Sequence, residues 1–333
     1  MTKMTAASRF DALVSCLRGR PPADADWVGV VEEANRYLVV PAVRAALAGW
    51  AGPEVPRDAR DYLDFIHGRN HERNLRLRAQ AVEAVEALNR RGIVPTLLKG
   101  ACTLLTAAED RLGDRILCDL DILVPEDGVP AALSCLSAIG YEVQPGEAQD
   151  HAPAALARRR DVGMIDLHVR PPGPARFHHP GRLARSGRVL AVGATGRAVL
   201  PSPEFRALHL IAHDMFHDKL YLSGDFELRR LVDLDGIVKA HPGLDWKEVA
   251  ALLDGRAARH ALEAQLVALR SLLGANVPAV PLSHAVPHFQ HWRRLQQARH
   301  PGFRTFLRGI YRSSRRLGGG GTRGLLTEPP GGL

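Results

Sequence analysis

Apolar positions recur at helical spacing from the start of the chain. Leu13, Cys16 and Leu17 form one stripe and Val28 to Leu47 a longer one, so the segment from about Phe10 to Trp50 is predicted to be helical. Pro53 and Pro56 break the chain between Gly52 and Arg57. A long amphipathic helix is predicted from Asp58, closing on Val82, Val85 and Leu88 with Gly92 as its C-cap. The period then shortens. Ile93 to Leu98 reads as a short strand, Lys99-Gly100 as a turn, Ala101 to Ala108 as a short helix and Leu117 to Val124 as a second strand. A further helix opens after Pro125 with Asp127 as its N-cap and ends at Gly140. Tyr141 to Val143 begins a strand, a charged loop holds Arg158, Arg159 and Arg160, and Val162 to Val169 is the next strand. After Pro201 and Pro203, the residues Phe205, Leu208, Ala212, Met215 and Phe216 trace one helix face, and helices continue to about Leu273.

This pattern predicts an α+β fold, a mixed sheet core with helical regions on both sides. The expected divisions are an N-terminal helical region at 1–91, an α/β core at 92–200, a C-terminal helical domain at 201–275, a basic and partly helical extension at 276–316, and a Gly- and Pro-rich disordered tail at 317–333.

The strand from Leu117 carries the clearest chemical signal. Asp119 and Asp121 sit two apart in an apolar run with Leu120, Ile122, Leu123 and Val124. Side chains at i and i+2 of a strand share a face, which puts these two roughly 6.6 Å apart along the strand. At an effective dielectric near 20 they repel by about 2.5 kcal/mol. A cation between them relieves that repulsion, and Mg²⁺ suits a pair of carboxylates completed by substrate phosphates. An acidic pair on a solvated strand face is the plain alternative, but the apolar neighbours predict a buried strand, where unpaired carboxylates are costly.

Composition adds bounds. The 333 residues suffice for more than one domain. No apolar run approaches the ~20 residues of a membrane span, and Met1 to Arg9 has no apolar signal core, so a cytoplasmic protein is expected. Cys16, Cys102, Cys118 and Cys135 form no C-x-x-C pair and read as small buried apolar residues. The net charge of +8 suits an anionic ligand such as a nucleotide. Arginine and alanine dominate throughout, however, as a GC-rich coding sequence would give, and no basic-aromatic alternation suggests a base-stacking surface. Nucleic acid is therefore disfavoured as a partner.

Other residues join the acid pair in order. Lys99-Gly100 opens a helix, where exposed backbone N–H groups and a glycine suit phosphate. Arg115 precedes Asp119 by four positions. Asp166 is a third acid in the apolar strand Met164 to His168, and His168 shares its face. A solvated turn residue remains the plain reading of Lys99, and a strand-edge charge or an ion pair with Arg170 that of Asp166. This order of residues resembles the polymerase-β-like nucleotidyltransferase fold superfamily, and more closely the bacterial family labelled uncharacterised nucleotidyltransferase. The matching text is Leu97-Leu98-Lys99-Gly100, Arg115 with Asp119 to Val124, Gly140-Tyr141, Ile165 to His168, Leu200 to Glu204, the row His209, His213, His217, and Arg229 to Asp233, over roughly Asp26 to Leu273. The wider superfamily has a Gly-Ser or Gly-Gly turn much nearer its acid pair. Here residues 101–118 intervene, as in the closer family.

The resemblance implies an Mg²⁺-dependent nucleotidyltransferase, with Mn²⁺ a possible substitute. It would move an NMP group from an NTP to a hydroxyl acceptor and release pyrophosphate. Asp119, Asp121 and Asp166 would be the catalytic, metal-holding acids; Lys99, Gly100 and Arg115 would bind phosphate. Relatives accompany peptide natural-product gene clusters, so a peptide joins small molecules and proteins among the acceptors considered. A kinase-like phosphotransferase on the same fold is the alternative, and a non-catalytic nucleotide-binding or antitoxin-like module a third reading, against which the presence of all three acids weighs.

His209, His213 and His217 recur at i, i+4 and i+8 and share a helix flank. A pair at i, i+4 can chelate zinc with Asp214 or Asp218 near, but no H-E-x-x-H pattern is present. The favoured expectation is that they line the cleft between the helical domain and the core. Arg229, Arg230 and Asp233 are expected there too, as an interhelical ion pair or as substrate contacts.

Overall fold

A computed structural model describes residues 6–52, 54–146, 150–174, 177, 186–307 and 309. The predicted tail at 317–333 lies outside the described residues. Three helices come first, α1 (Ala6–Leu17), α2 (Trp27–Arg36) and α3 (Val40–Leu47), followed by the long α4 (Arg57–Asn89). Asp26 caps α2 by accepting from the Gly29 backbone N–H at 3.1 Å. Behind α4, Gly92 takes φ +76°, the left-handed conformation that lets the chain reverse.

The chain then enters a mixed sheet. In chain order its elements are β1 (Thr96–Leu97), α5 (Lys99–Thr106), β2 (Asp119–Leu123), α6 (Val129–Ala138), β3 (Glu142–Val143), β4 (Ala154–Ala157), β5 (Met164–His168), β6 (Arg188–Val192) and β7 (Gly196–Leu200). The seven strands lie in the order β3-β4-β5-β2-β1-β7-β6. β2 runs parallel to β5 and antiparallel to β1, and β1 runs parallel to β7. The central pair puts Leu120 beside Ile165, Asp121 beside Asp166 and Ile122 beside Leu167. Because strand side chains alternate, Leu120, Ile122, Ile165 and Leu167 all fall on one face. There they pack with Leu77, Ala81, Ala84 and Leu88 of α4 and Ala132 and Leu136 of α6. The opposite face carries the acids.

Helices resume with α7 (Pro203–Ala212), which continues into a π-helical turn at His213–His217. After it come α8 (Leu220–Ser223), α9 (Leu228–Ala240), α10 (Trp246–Leu252), α11 (Arg256–Ala268) and α12 (Ala285–Arg299). Phe10, Leu13 and Val43 from the N-terminal helices share one apolar core with Phe205, Leu208, Leu231 and Leu262. The N-terminal helices and the helices that follow the sheet thus share one core. No helix among the described residues is long and apolar enough to cross a membrane.

The structure departs from the sequence pattern at several points. The strand expected at 93–98 is reduced to Thr96–Leu97. Asp127 does not cap α6. It lies in a single turn, Glu126–Gly128, and the helix starts after Gly128 with a proline in its first turn. The stretch read as a charged loop contains β4, and β6 and β7 form an additional hairpin. β4 is mostly alanine, a weak strand former, so its pairing to β5 decides its conformation. Cys118 is exposed, unlike Cys16, Cys102 and Cys135.

Candidate active site

Asp121 stands at the centre of the acidic face. Its side chain is buried, and its Oδ1 accepts from Lys99 Nζ at 2.6 Å and pairs with His168 Nε2 at 2.9 Å. Burial pushes its carboxyl up, but the His168 hydrogen bond and the Lys99 ammonium outweigh this and hold it below the usual range. Lys99 reaches this place from the start of α5, with its backbone at φ +41°, a conformation that a non-glycine residue adopts at a cost.

Asp119 and Asp166 are in a different state. Among the described residues their side chains have no hydrogen-bond or ion-pair partner. Burial raises both carboxyls, and the neighbouring acids raise them further. Asp121, Asp166 and His168 each offer a ligand atom, and these atoms lie within 4.8 Å of one another. Asp119 is not one of these three. Clustered carboxylate oxygens whose mutual repulsion the nearby Lys99 only partly offsets fit a divalent cation of the Mg²⁺ or Mn²⁺ kind. His168, bonded to Asp121, suits the part of a partner that orients a ligating carboxylate.

The loop that leads into β2 is suspended from α4. Asn74 Nδ2 donates to the carbonyls of Leu112 (2.7 Å) and Arg115 (2.9 Å), and Asn70 Nδ2 to those of Gly113 (2.8 Å) and Arg115 (2.9 Å). Arg73 donates to the carbonyls of Leu117, Cys118 and Val162, so one guanidinium bridges the starts of β2 and β5.

The residues expected to bind phosphate lie close together but are engaged. Arg115 is held by Asp233 in a two-pronged pair, Nε to Oδ1 at 2.5 Å and Nη2 to Oδ2 at 2.7 Å. A Cβ on Gly100 would collide with Leu117 and Arg115, so the missing side chain makes room for the arginine. A cleft of about 440 Å³, counting the part open to solvent, adjoins Lys99; its wall includes Phe205, Arg206, His209, Arg115 and Asp233.

The histidine row divides. His209 lines that cleft, its ring 6.3 Å from and stacked parallel to His213. His213 and His217 are not part of its wall, and their ring centroids lie 5.0 Å apart. His151, in the loop before β4, bridges the two groups: its ring is 5.0 Å from His217 and 5.6 Å from His168. Burial, together with the positive charges nearby, lowers all three, His151 to about 4 and His213 and His217 also below the usual value, so they are neutral near pH 7. Arg230 pairs with Asp218 and Asp214, and Arg229 carries a buried Nε without a hydrogen-bond partner. His151 was missed from sequence because nothing local marks it; only the return of β4 alongside β5 brings it to the acids, where its carbonyl accepts from Val169 N–H at 2.9 Å.

The sequence model of a family described as uncharacterised nucleotidyltransferase matches residues 23–274, well over half of the chain. The chain belongs to this family. Its members are nucleotidyltransferases, so the acidic face and the cleft beside it belong to a nucleotidyltransferase. No curated protein is significantly similar to the chain. Among solved structures, the chain is similar to the crystal structure of ANT(2″)-Ia in complex with adenylyl-2″-tobramycin, with 14% identity, a TM-score of 0.39 and coverage of 57% of this chain and 98% of that one. It is also similar to the solution structure of the antibiotic-resistance factor ANT(2″)-Ia, with 15% identity, a TM-score of 0.37 and coverage of 59% and 95%.

Proposed function

We propose that this nucleotidyltransferase moves an NMP group from an NTP to a hydroxyl of a small-molecule, peptide or protein acceptor, with release of pyrophosphate. The observation that carries the reading is the pair of unpartnered carboxylates, Asp119 and Asp166, flanking an Asp121 that is already held by Lys99 and His168. Asp121 and Asp166, with Asp119, are the residues that would hold Mg²⁺ or Mn²⁺. The metal, when bound, would draw charge from the phosphate oxygens. Asp166, half-buried and without a hydrogen-bond partner among the described residues, takes the proton of the acceptor hydroxyl. Lys99 gives up Asp121 to reach a phosphate as a flexible point charge. Arg115, fixed by Asp233 and packed on Gly100, contributes positive potential at the mouth of the cleft. His209 and the apolar wall around Phe205 offer a surface for the base or the acceptor.

Thermal stability measured with each NTP, with and without Mg²⁺, tests the donor half of this reading. Ligand at 100 times its dissociation constant stabilises the fold by about 2.7 kcal/mol. A metal-dependent shift that is lost in Asp121→Asn is expected, and no shift with any NTP counts against the reading. Assay of the released product then separates the chemistries. Pyrophosphate marks NMP transfer, whereas a nucleoside diphosphate would reassign the protein to phosphoryl transfer.

A further inference from the structure

We propose that His213, His217 and Asp218 form a second metal site, for a borderline transition-metal ion such as Zn²⁺, distinct from the carboxylate site on the sheet. One nitrogen of each imidazole and one carboxylate oxygen lie within 4.8 Å of one another. The local backbone explains how. The chain at His213–His217 is a π-helical turn, and Asp218 N–H donates to the His213 carbonyl at 3.0 Å. That wider i→i+5 closure brings Asp218 round to the side of His213, where its Oδ2 is 3.5 Å from His213 Nδ1. Single π turns of this kind are frequent at functional sites.

The donor set differs from that on the sheet. Two imidazoles and one carboxylate suit Zn²⁺, Co²⁺ or Ni²⁺, whereas oxygen donors suit Mg²⁺. The His151 ring, 5.0 Å from His217, stands at the edge of the group as a neighbour from a different element. His209 takes no part, since its ring is 6.3 Å from His213 and it faces the other cleft. Asp218 is exposed, which leaves an entry path. Arg230 Nη1 holds the same Asp218 oxygen and also reaches Asp214 Oδ1 at 3.4 Å. A carboxylate oxygen has two lone pairs, so the guanidinium orients this ligand while the metal takes the other pair.

The test uses metal-stripped, full-length protein titrated with Co²⁺ in excess Mg²⁺ and followed by visible absorption, a readout independent of nucleotide chemistry. One equivalent of Co²⁺ with a ligand-field band is expected for wild type and for Asp121→Asn. His213→Gln and Asp218→Asn are each expected to weaken binding at least ~10-fold. If His213→Gln does not fold, Asp218→Asn at its exposed position carries the comparison. The proposal is overturned if wild type binds no Co²⁺ under excess Mg²⁺, or if binding is lost in Asp121→Asn and kept in the two turn variants.

Discussion

The acidic face of the sheet and the histidine turn lie one imidazole apart, yet their backbones are supported by different means. The loop into the acid-bearing strand is hung from α4 by two neutral amides, Asn70 and Asn74, and the strand start by the Arg73 guanidinium, all donating to backbone carbonyls and none to a carboxylate. The turn rests on buried ions. Asp214, inside the π turn, accepts from Gln265 Nε2 at 2.6 Å and lies 3.5 Å from Arg294 Nη2, and both charged side chains are 2% exposed. Burial raises Asp214 to about 6 and lowers Arg294, so desolvation outweighs the attraction on both partners. Amide support removes little charge from water and fixes a carbonyl firmly. Ionic support is costly to bury and punishes the loss of either member. The sheet side is thus built for a fixed register, while the turn depends on its charges being matched.

The sharpest break in the comparison is Asp121→Asn. It keeps the shape of the sheet site and removes a charge, and the expected loss is at least ~10³-fold in NMP transfer, about 4 kcal/mol at the transition state, read by turnover with saturating NTP. Next is Arg294→Met, which strands Asp214 without its deepest partner. Urea unfolding should show about 3–5 kcal/mol of lost stability, much of it restored by adding Asp214→Leu. The neutral support is expected to cost less. Asn74→Leu removes the donor to Leu112 O, but Asn70 still serves Arg115 O, so the expected cost is about 1–3 kcal/mol, near the low end, by the same measurement.

The smallest effect is with pH, and its sign separates the two kinds of group. His151 and His291 are lowered from 6.5 to about 4. Between those values the unfolded chain binds protons that the native state refuses, so their contribution is complete above pH 6.5 and is lost as the pH falls toward 4. Asp214 works the other way. Raised from 3.8 to about 6, it makes the native state relatively more stable as the pH falls through that window. Midpoint temperatures should therefore drop from pH 6.5 to pH 4 in wild type, drop less in His151→Gln, and drop more steeply in Asp214→Asn.

What could be read along the chain was what local periodicity controls. The alternation in Asp119-Leu120-Asp121-Ile122 already separates an acidic from an apolar face, and the same alternation in Met164 to His168 gives the second strand. The length of α4 and the common flank of His209, His213 and His217 follow from helical spacing in the same way. Pairings across the chain were not legible. β4 has no strong strand formers, the donors on α4 are ordinary polar residues of a long helix, and Arg115 carries no mark of Asp233 as its partner. Nor does helical spacing foretell that the row splits at Ala212, where a π turn replaces the α-helix.

By itself, then, the sequence determined which side chains share a face, because backbone geometry ties facing to spacing within one element. Only the tertiary structure decided which faces meet. It set Asp121 beside Asp166, brought His151 between His168 and His217, and gave Lys99 to Asp121 and Asp233 to Arg115. Such choices depend on strand register and on pairing every buried charge at once. Both are properties of distant segments packed together, and no local stretch of chain contains them.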